Sequence, residues 1–249
     1  MKKDKCLLEV CAVSLSSAKA ALAGGAARVE LCSALELGGL TPSAGIVRQV
    51  CAIPSLLTHV LVRPRSGDFC YNADEAQIII RDIEQMSDWG VDGVVVGALR
   101  EDGSLDVSLM KEIMKASRDM SVTFHRAFDV CAHPEVVMEQ LIDMGVDRIL
   151  TSGRKATAEE GISQICSFVA QAKDRISIMP GCGVTASNAH KIVSNTNVKE
   201  IHASAKRIVD GKMLYHNPDV LFGRNKEESD AHIETDEVRV RAIVDALRL

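Results

Sequence analysis

The chain alternates eight short apolar runs with segments of helical periodicity, and this alternation limits its fold more than any other feature. The runs are rich in Val, Ile and Leu, which is typical of buried parallel strands. They cover 7–11, 27–32, 57–62, 92–96, 120–125, 147–151, 176–179 and 199–203. Helical spacing follows over 14–24, 43–52, 73–88, 106–117, 133–144, 156–172, 185–194 and 236–248. Ser14, Asp106 and Thr185 are suitable helix caps. We therefore predict an α/β fold, a (β/α)8 TIM barrel.

The length of 249 residues matches the usual size of such a barrel, and we expect a single domain over 1–249. A doubly wound open sheet is the alternative, but it usually has fewer strands and a clear switch point. One connection is unusually long, because 204–235 separate the eighth strand from the last helix. Long loops of this kind are either functional lids or disordered. We expect a mobile loop here, with 224–235 as its most mobile part.

Charge and hydropathy exclude several classes of partner. The net charge of −5 argues against nucleic acid, which requires a basic face. No apolar run approaches the roughly 20 residues that a membrane-spanning helix needs. The first residues are charged, but they are not followed by the apolar segment that a secretion signal requires. We expect a cytoplasmic protein that binds neither nucleic acid nor membrane. We also expect a homo-oligomer, because barrels often associate through apolar helix faces.

The eight cysteines are scattered, and no Cys-x-x-Cys pair occurs among them. This spacing predicts neither a zinc finger nor a thioredoxin-type redox site. In a reducing compartment most of them are expected to be free, buried thiols.

Two strands end in the same pattern, Glu-x-Cys: Glu9 with Cys11, and Glu30 with Cys32. Side chains alternate along a strand, so each carboxylate shares a face with its thiol. The two strands are the first two of a βαβ unit, and we expect them to be neighbours. Two thiols and two carboxylates would then converge. Their separation stays open, because adjacent strands of a barrel contribute to different interior layers.

Polar or glycine-rich clusters follow most of the predicted strands, where barrels place their functional residues. Arg63 and Arg65 follow the third strand, and Arg126 follows the fifth. Guanidinium groups suit carboxylate or phosphate ligands. Alternatively, Arg63 pairs with Glu9 or Glu30 and has only a structural role.

Further clusters follow the last three strands. Ser152 follows the sixth, Gly181 and Gly183 flank Cys182 after the seventh, and Ser204 follows the eighth. Loops after the seventh and eighth strands bind phosphate in many barrels through backbone N–H groups. The alternative is a tight turn that requires positive φ.

Three histidines lie in or after strands. His125 is followed by Asp129, and a histidine near a carboxylate can act as a general base or a metal ligand. It can equally be structural, as can His202, for which an inward-facing role is plausible. We interpret His59, in mid-strand, as a core histidine.

Several motifs resemble those of the CutC copper-homeostasis family. They are 8–11, 28–32, 38–43, 63–71, 124–129, 150–153, 179–184 and 200–205, and the similarity spans about 7 to 217. The resemblance implies a (β/α)8 barrel, a cytoplasmic protein and a role in copper handling, with Cys11 and Cys32 as the proposed Cu(I) ligands. Cys182 departs from the small residue expected between the two glycines, and it adds a thiol.

Two hypotheses for the function follow. The first is a copper-homeostasis protein that binds Cu(I) through Cys11 and Cys32, since Cu(I) favours thiolates. The second is a barrel enzyme acting on a small anionic or phosphorylated metabolite. There Arg63, Arg65 and the 181–183 loop would hold the anion. Proton transfer would be the task of Glu9, Glu30 or His125, with Asp129 as a further candidate.

Overall fold

Eight parallel strands form one sheet that curls into a nearly closed barrel, as the sequence predicts. The structure is a computed structural model that describes residues 6–215, 217, 219–220 and 230–248. The strand order around the sheet is β7-β6-β5-β4-β3-β2-β1-β8. The strands are β1 (Leu7–Ala12), β2 (Arg28–Leu31), β3 (Leu57–Leu61), β4 (Gly93–Val96), β5 (Ser121–Phe124), β6 (Arg148–Thr151), β7 (Ser177–Pro180) and β8 (Glu200–Ala203).

Helices alternate with these strands and cover the outside of the barrel. They are α1 (Leu15–Gly24), α2 (Ala44–Cys51), α3 (Ala73–Asp88), α4 (Val107–Ser117), α5 (Ala127–Val130), α6 (Pro134–Asp143), α7 (Ile162–Ala172), α8 (Ala189–Thr196) and α9 (Glu237–Ala246), with a 3-10 helix at Leu35–Leu37. Ser14 caps α1 and Asp106 caps α4 through their side chains, as predicted. Thr185 does not cap α8. That helix begins at Ala189, because the Thr185 N–H donates to Asn188 Oδ1 in a preceding turn.

The segment after β8 contains two strands that the sequence analysis did not predict. β9 (Lys206–Asp210) pairs antiparallel with β10 (Ala231–Thr235) in a separate two-stranded sheet. The range 204–235 is therefore not irregular throughout. Of the segment expected to be most mobile, 224–235, the first half lies outside the described residues and the second half contains β10, and its mobility stays a prediction.

The apolar core lies between the strands and the helices, whereas charged residues fill much of the barrel interior. Val10, Val29 and Val60 belong to the outer core and are fully buried. The side chains at alternate positions point inward. Arg28 of β2, for example, reaches both Glu200 of β8 and the Met179 sulfur of β7. β2 and β7 are far apart in the sheet, so these contacts cross the inside of the barrel.

In the described part of the chain, none of the helices combines the length and the apolar character that crossing a membrane would require.

Candidate functional site at the barrel mouth

The Cys11 and Cys32 side chains meet inside the carboxyl-terminal end of the barrel. Their Sγ atoms are 3.5 Å apart, and the two residues are 4% and 1% exposed. The sheet register places Cys11 opposite Glu30, so Cys32 lies two positions further along its strand. The thiols nevertheless come together, with Leu61 and Val95 packed beside them. The structure thus supplies the separation that the sequence leaves open.

A carboxylate and an imidazole lie next to the thiol pair. Cys11 Sγ, a Glu30 carboxylate oxygen and a His202 ring nitrogen all lie within 4.8 Å of one another. His202 Nε2 is 3.6 Å from Glu30, and its Nδ1 is 2.8 Å from Glu9. Glu9 and His202 are register partners in adjacent strands β1 and β8, which explains their contact. The site therefore offers two soft sulfur donors, one nitrogen donor and one oxygen donor.

A network of buried charges lies beneath these donors. Arg28 forms ion pairs with both Glu9 and Glu200. Arg148 Nε contacts the same Glu200 carboxylate at 2.7 Å, and an Arg148 Nη1 donates to Thr123 Oγ1 at 3.2 Å. We did not single out Arg28, Arg148 or Glu200 from the sequence. Their signal is present in the sequence, because each is a charged residue at the first position of a barrel strand.

The network fixes the protonation of Glu9. Burial alone would raise the pKa of Glu9, but the hydrogen bond with His202 and the charges of Arg28, His202 and His59 lower it overall. Glu9 is therefore a carboxylate at neutral pH.

Three groups near Glu9 have raised pKa values. Burial raises the pKa of Glu30 to about 7, opposed by His202 and supported by the nearby charge of Glu9. Burial opposes protonation of His202, but the hydrogen bond with Glu9 and the charges of Glu30 and Glu9 raise its pKa above the ordinary value. The hydrogen bond to Cys32, together with burial, raises the pKa of the Cys11 thiol well above its ordinary value of 9.0. Glu30 thus titrates near neutral pH, and Cys11 is a neutral thiol there.

A cavity of about 960 Å³ opens beside the thiol pair, and Cys11 is the member of the pair that lines it. Of the side chains predicted to form the site, Cys11, Glu30, Arg63, His125, Arg126, Gly183, His202 and Ser204 line it. Cys182 also lines it, but its Sγ lies 3.1 Å from the Ala156 carbonyl oxygen. Arg239 and Ile243 of α9 complete one side of the wall.

The alternative role for Arg63, pairing with Glu9 or Glu30, is wrong. Its Nη1 donates to the carbonyls of Leu37 and Gly39 at 3.1 and 3.0 Å. The arginine partner of Glu9 is Arg28, which is its register partner on the neighbouring strand.

The other two arginines have carboxylate partners. Arg65 contacts Glu75 at 2.5 Å and Asp68 at 3.0 Å, away from the cavity wall. Arg126 Nε contacts Asp129 at 2.8 Å, and its Nη2 donates to Ser152 Oγ at 3.0 Å. Binding of a substrate by Arg65, Arg126 or Ser152 stays a prediction.

The structure does not bring His125 and Asp129 together. The Asp129 carboxylate accepts hydrogen bonds from Thr151 Oγ1 and from the Ser152 hydroxyl and N–H, besides its contact with Arg126. Asp129 therefore organises the turn after β6. His125 Nδ1 accepts the N–H of Ala127 instead, at 3.1 Å. A catalytic role for either residue stays a prediction.

The loop after β7 has the backbone of a tight turn. Cys182 has a φ of 76° and Gly183 a φ of 72°, and the Gly181 N–H donates to the Thr151 carbonyl at 2.9 Å. A Cβ on Gly183 would lie 3.0 Å from the Thr157 side chain. These contacts account for the glycines structurally, and anion binding by this loop stays a prediction.

Comparisons with known proteins identify the family. The CutC family model matches residues 6–207. A family protein CutC of Parabacteroides distasonis is 46% identical over 96% of this chain and 100% of its own length. Another from Xanthomonas axonopodis pv. citri is 44% identical over 97% of this chain and 98% of its own. A candidate copper homeostasis protein CutC from Streptococcus agalactiae has a solved structure with a TM-score of 0.76 and 33% identity, covering 80% of this chain and 98% of that one. This chain belongs to the CutC family.

Proposed function

We propose that the protein acts in copper homeostasis by binding Cu(I) through Cys11 and Cys32. The observation that carries this proposal is the pair of buried thiols, 3.5 Å apart, of which Cys11 lines the cavity at the barrel mouth. Cu(I) is a soft ion that favours thiolates, often two of them. His202 and Glu30 lie close enough to take part as further donors. The naming of the streptococcal relative as a candidate copper homeostasis protein supports the same role.

The thiol pair suits a reversible cargo site. Ligand thiols must lose their protons when a metal binds, so affinity increases with pH. The raised pKa of Cys11 extends this dependence to higher pH, because the thiol stays neutral until a metal competes with its proton. Buried thiols are also shielded from other reactions.

An anaerobic Cu(I) titration against a competing chelator tests the proposal. We expect the wild type to bind about one ion tightly, and a double Cys11→Ser, Cys32→Ser variant to lose that binding while staying folded. The matched control is the double Cys51→Ser, Cys166→Ser variant, which removes two half-buried thiols elsewhere. Equal affinity in the two double variants would contradict the role of the thiol pair.

A second candidate function is an enzyme acting on a small anionic or phosphorylated metabolite. The cavity volume of about 960 Å³ favours it, because one copper ion occupies a small fraction of that space and metabolite sites are commonly this large. In this function Glu30, whose pKa of about 7 lies near neutrality, would transfer a proton. Turnover of a metabolite by the wild type that disappears in Glu30→Gln would support it.

The cellular setting completes the proposal. We infer a cytoplasmic location, where reduced thiols persist and Cu(I) requires protein ligands. Assembly into a homo-oligomer also stays a prediction, which light scattering of the purified protein would check.

A further inference from the structure

Arg63 is a buried cation that has only neutral partners in the described part of the chain. It is 6% exposed, and its hydrogen bonds go to the backbone carbonyls of Leu37, Gly39 and Gly67. Its Nε has no hydrogen-bond partner there. A buried charge is costly unless an opposite charge compensates it. Arg63 therefore leaves both a positive charge and an N–H donor uncompensated.

His125 presents a second buried donor. The residue is 5% exposed, and its Nδ1 accepts the Ala127 N–H, so its hydrogen lies on Nε2. Nε2 has no partner among the residues that the structure describes. Burial and the nearby positive charge of Arg63 lower the pKa of His125 to about 3. The imidazole is thus neutral at physiological pH and keeps this N–H.

Phe69 brings the two donors together. The Arg63 Cζ lies 5.1 Å from the centroid of the Phe69 ring, and the His125 ring centroid lies 4.8 Å from it. All three residues line the cavity beside the thiol pair. A buried donor without a partner costs about 1–3 kcal/mol, so two of them in one cavity wall require an explanation.

We propose that Arg63, Phe69 and His125, which we call the anion pocket, bind the oxyanion group of a small organic metabolite. The group is a carboxylate or a phosphate ester, since both offer oxygen acceptors to the two N–H donors and a negative charge to the guanidinium. The uncompensated Arg63 charge disfavours a cation at this position. This inference deepens the second candidate function by placing the ligand, and it is independent of copper binding by Cys11 and Cys32.

Calorimetric titration of the wild type with malonate, glycerol 3-phosphate and inorganic phosphate tests the anion pocket. We expect saturable binding of at least one probe, weakened about tenfold or more in Arg63→Met because a charge-assisted hydrogen bond is lost. His125→Gln should weaken the same probe. The matched control is Arg175→Met, because Arg175 pairs with Glu139 on the exposed surface and does not line the cavity. A response to malonate identifies a carboxylate ligand, and a response to either phosphate probe identifies a phosphate ligand.

A measurement on the wild type tests the anion pocket even if the Arg63→Met variant does not fold. The Nε2–H resonance of His125, assigned from its absence in His125→Gln, should shift on addition of the probe that binds. The double Cys51→Ser, Cys166→Ser variant, which changes two half-buried thiols that do not line the cavity, should bind that probe with unchanged affinity. Absence of binding by every probe at millimolar concentration would overturn the inference. It would also be overturned by equal weakening in Arg175→Met, by loss of binding in the double Cys51→Ser, Cys166→Ser variant, or by an unshifted His125 resonance.

Discussion

At the scale of single residues, Arg28 is the side chain on which the barrel interior depends. It neutralises Glu9 and Glu200, which belong to strands β1 and β8. The side chain is 3% exposed, so water cannot replace it as a partner. Removing one member of a buried ion pair leaves an uncompensated charge, which costs far more than losing an exposed pair.

We expect Arg28→Met to lower the free energy of unfolding by about 3–5 kcal/mol, because Glu9 and Glu200 lose their shared partner. Arg175→Met is the matched control. Arg175 makes a two-pronged contact with Glu139, but both side chains are exposed, so this variant should change stability little. Urea denaturation of the three proteins measures the difference. Similar midpoints for the two variants would show that the interior network does not stabilise the fold.

The sequence predicts some of the site residues through simple periodicity. Glu9 and Cys11 share the inner face because side chains alternate along a strand, and Glu30 and Cys32 do so for the same reason. The 3.5 Å separation of the thiols could not be predicted, since it depends on the offset between neighbouring strands in the closed barrel. The arginine partner of Glu9 could not be predicted either, because several arginines have the required charge. Only the packing inside the barrel brings Arg28 to Glu9.

At the scale of elements, the close packing of α1 against α9 joins the two ends of the barrel sequence. Gly24 allows this approach, since a Cβ on it would lie 2.5 Å from Val240 Cβ and 2.9 Å from the Glu237 carbonyl oxygen. α9 also supplies Arg239 and Ile243 to the cavity wall. The last helix can therefore pack this closely against α1 because residue 24 has no side chain.

The same substitution should have opposite effects in two helices. Gly24→Ala should destabilise the protein by about 1–3 kcal/mol, because the added methyl group overpacks the α1–α9 contact. Gly45→Ala in α2 should instead stabilise it by up to about 1 kcal/mol, because alanine favours a helix and its Cβ would meet only Ser43 Oγ at 4.0 Å. Thermal unfolding of both variants gives the signs. A higher melting temperature for Gly24→Ala would show that α9 moves without cost.

The sequence predicts the presence of the barrel strands and helices better than it predicts the residues at which they begin and end. All eight barrel strands are present because buried parallel strands form continuous apolar runs. The β9–β10 pair is not predicted, because β9 is largely solvent-exposed, with Ile208 77% exposed, and lacks the apolar signal of a core strand. The start of α8 was misplaced at Thr185, because a capping residue type also occurs in turns, where Asn188 accepts its N–H.

At the scale of the whole molecule, buried histidines make stability depend on pH. Burial lowers the pKa of His125 to about 3 and that of His59 to about 4, from an ordinary value of 6.5. The unfolded chain therefore binds protons near pH 6.5, whereas the folded chain does not until the pH is much lower. The stability from these two groups is complete above pH 6.5 and is lost as the pH falls. Glu30 and His202 act in the opposite sense, since the pKa of Glu30 is raised to about 7 and that of His202 is raised above its ordinary value.

We expect His59→Gln and His125→Gln each to flatten the loss of stability between pH 6 and pH 4.5. Each removed imidazole should reduce the slope by at most about 1.4 kcal/mol per pH unit, the value for one proton. Urea unfolding at a series of pH values measures the slopes. The internal control is the range above pH 7, where the variants and the wild type should run parallel. A slope in acid that equals that of the wild type would show that these histidines are protonated in the folded state.

Strand β4 shows how neighbouring strands of this barrel divide the available space. Gly93 faces the His59 ring and Gly97 faces the His125 ring, and a methyl group at either glycine would overlap its imidazole. β4 and the residue that follows it thus supply no side chain at these two positions, and the rings from β3 and from the end of β5 occupy the volume. A redesign of the mouth that replaces either histidine with a small residue would open a hole, and the opposite glycine is the position from which to refill it. Each histidine and the glycine that faces it therefore have to be substituted together, so that a side chain removed from one strand is replaced by a side chain on its neighbour.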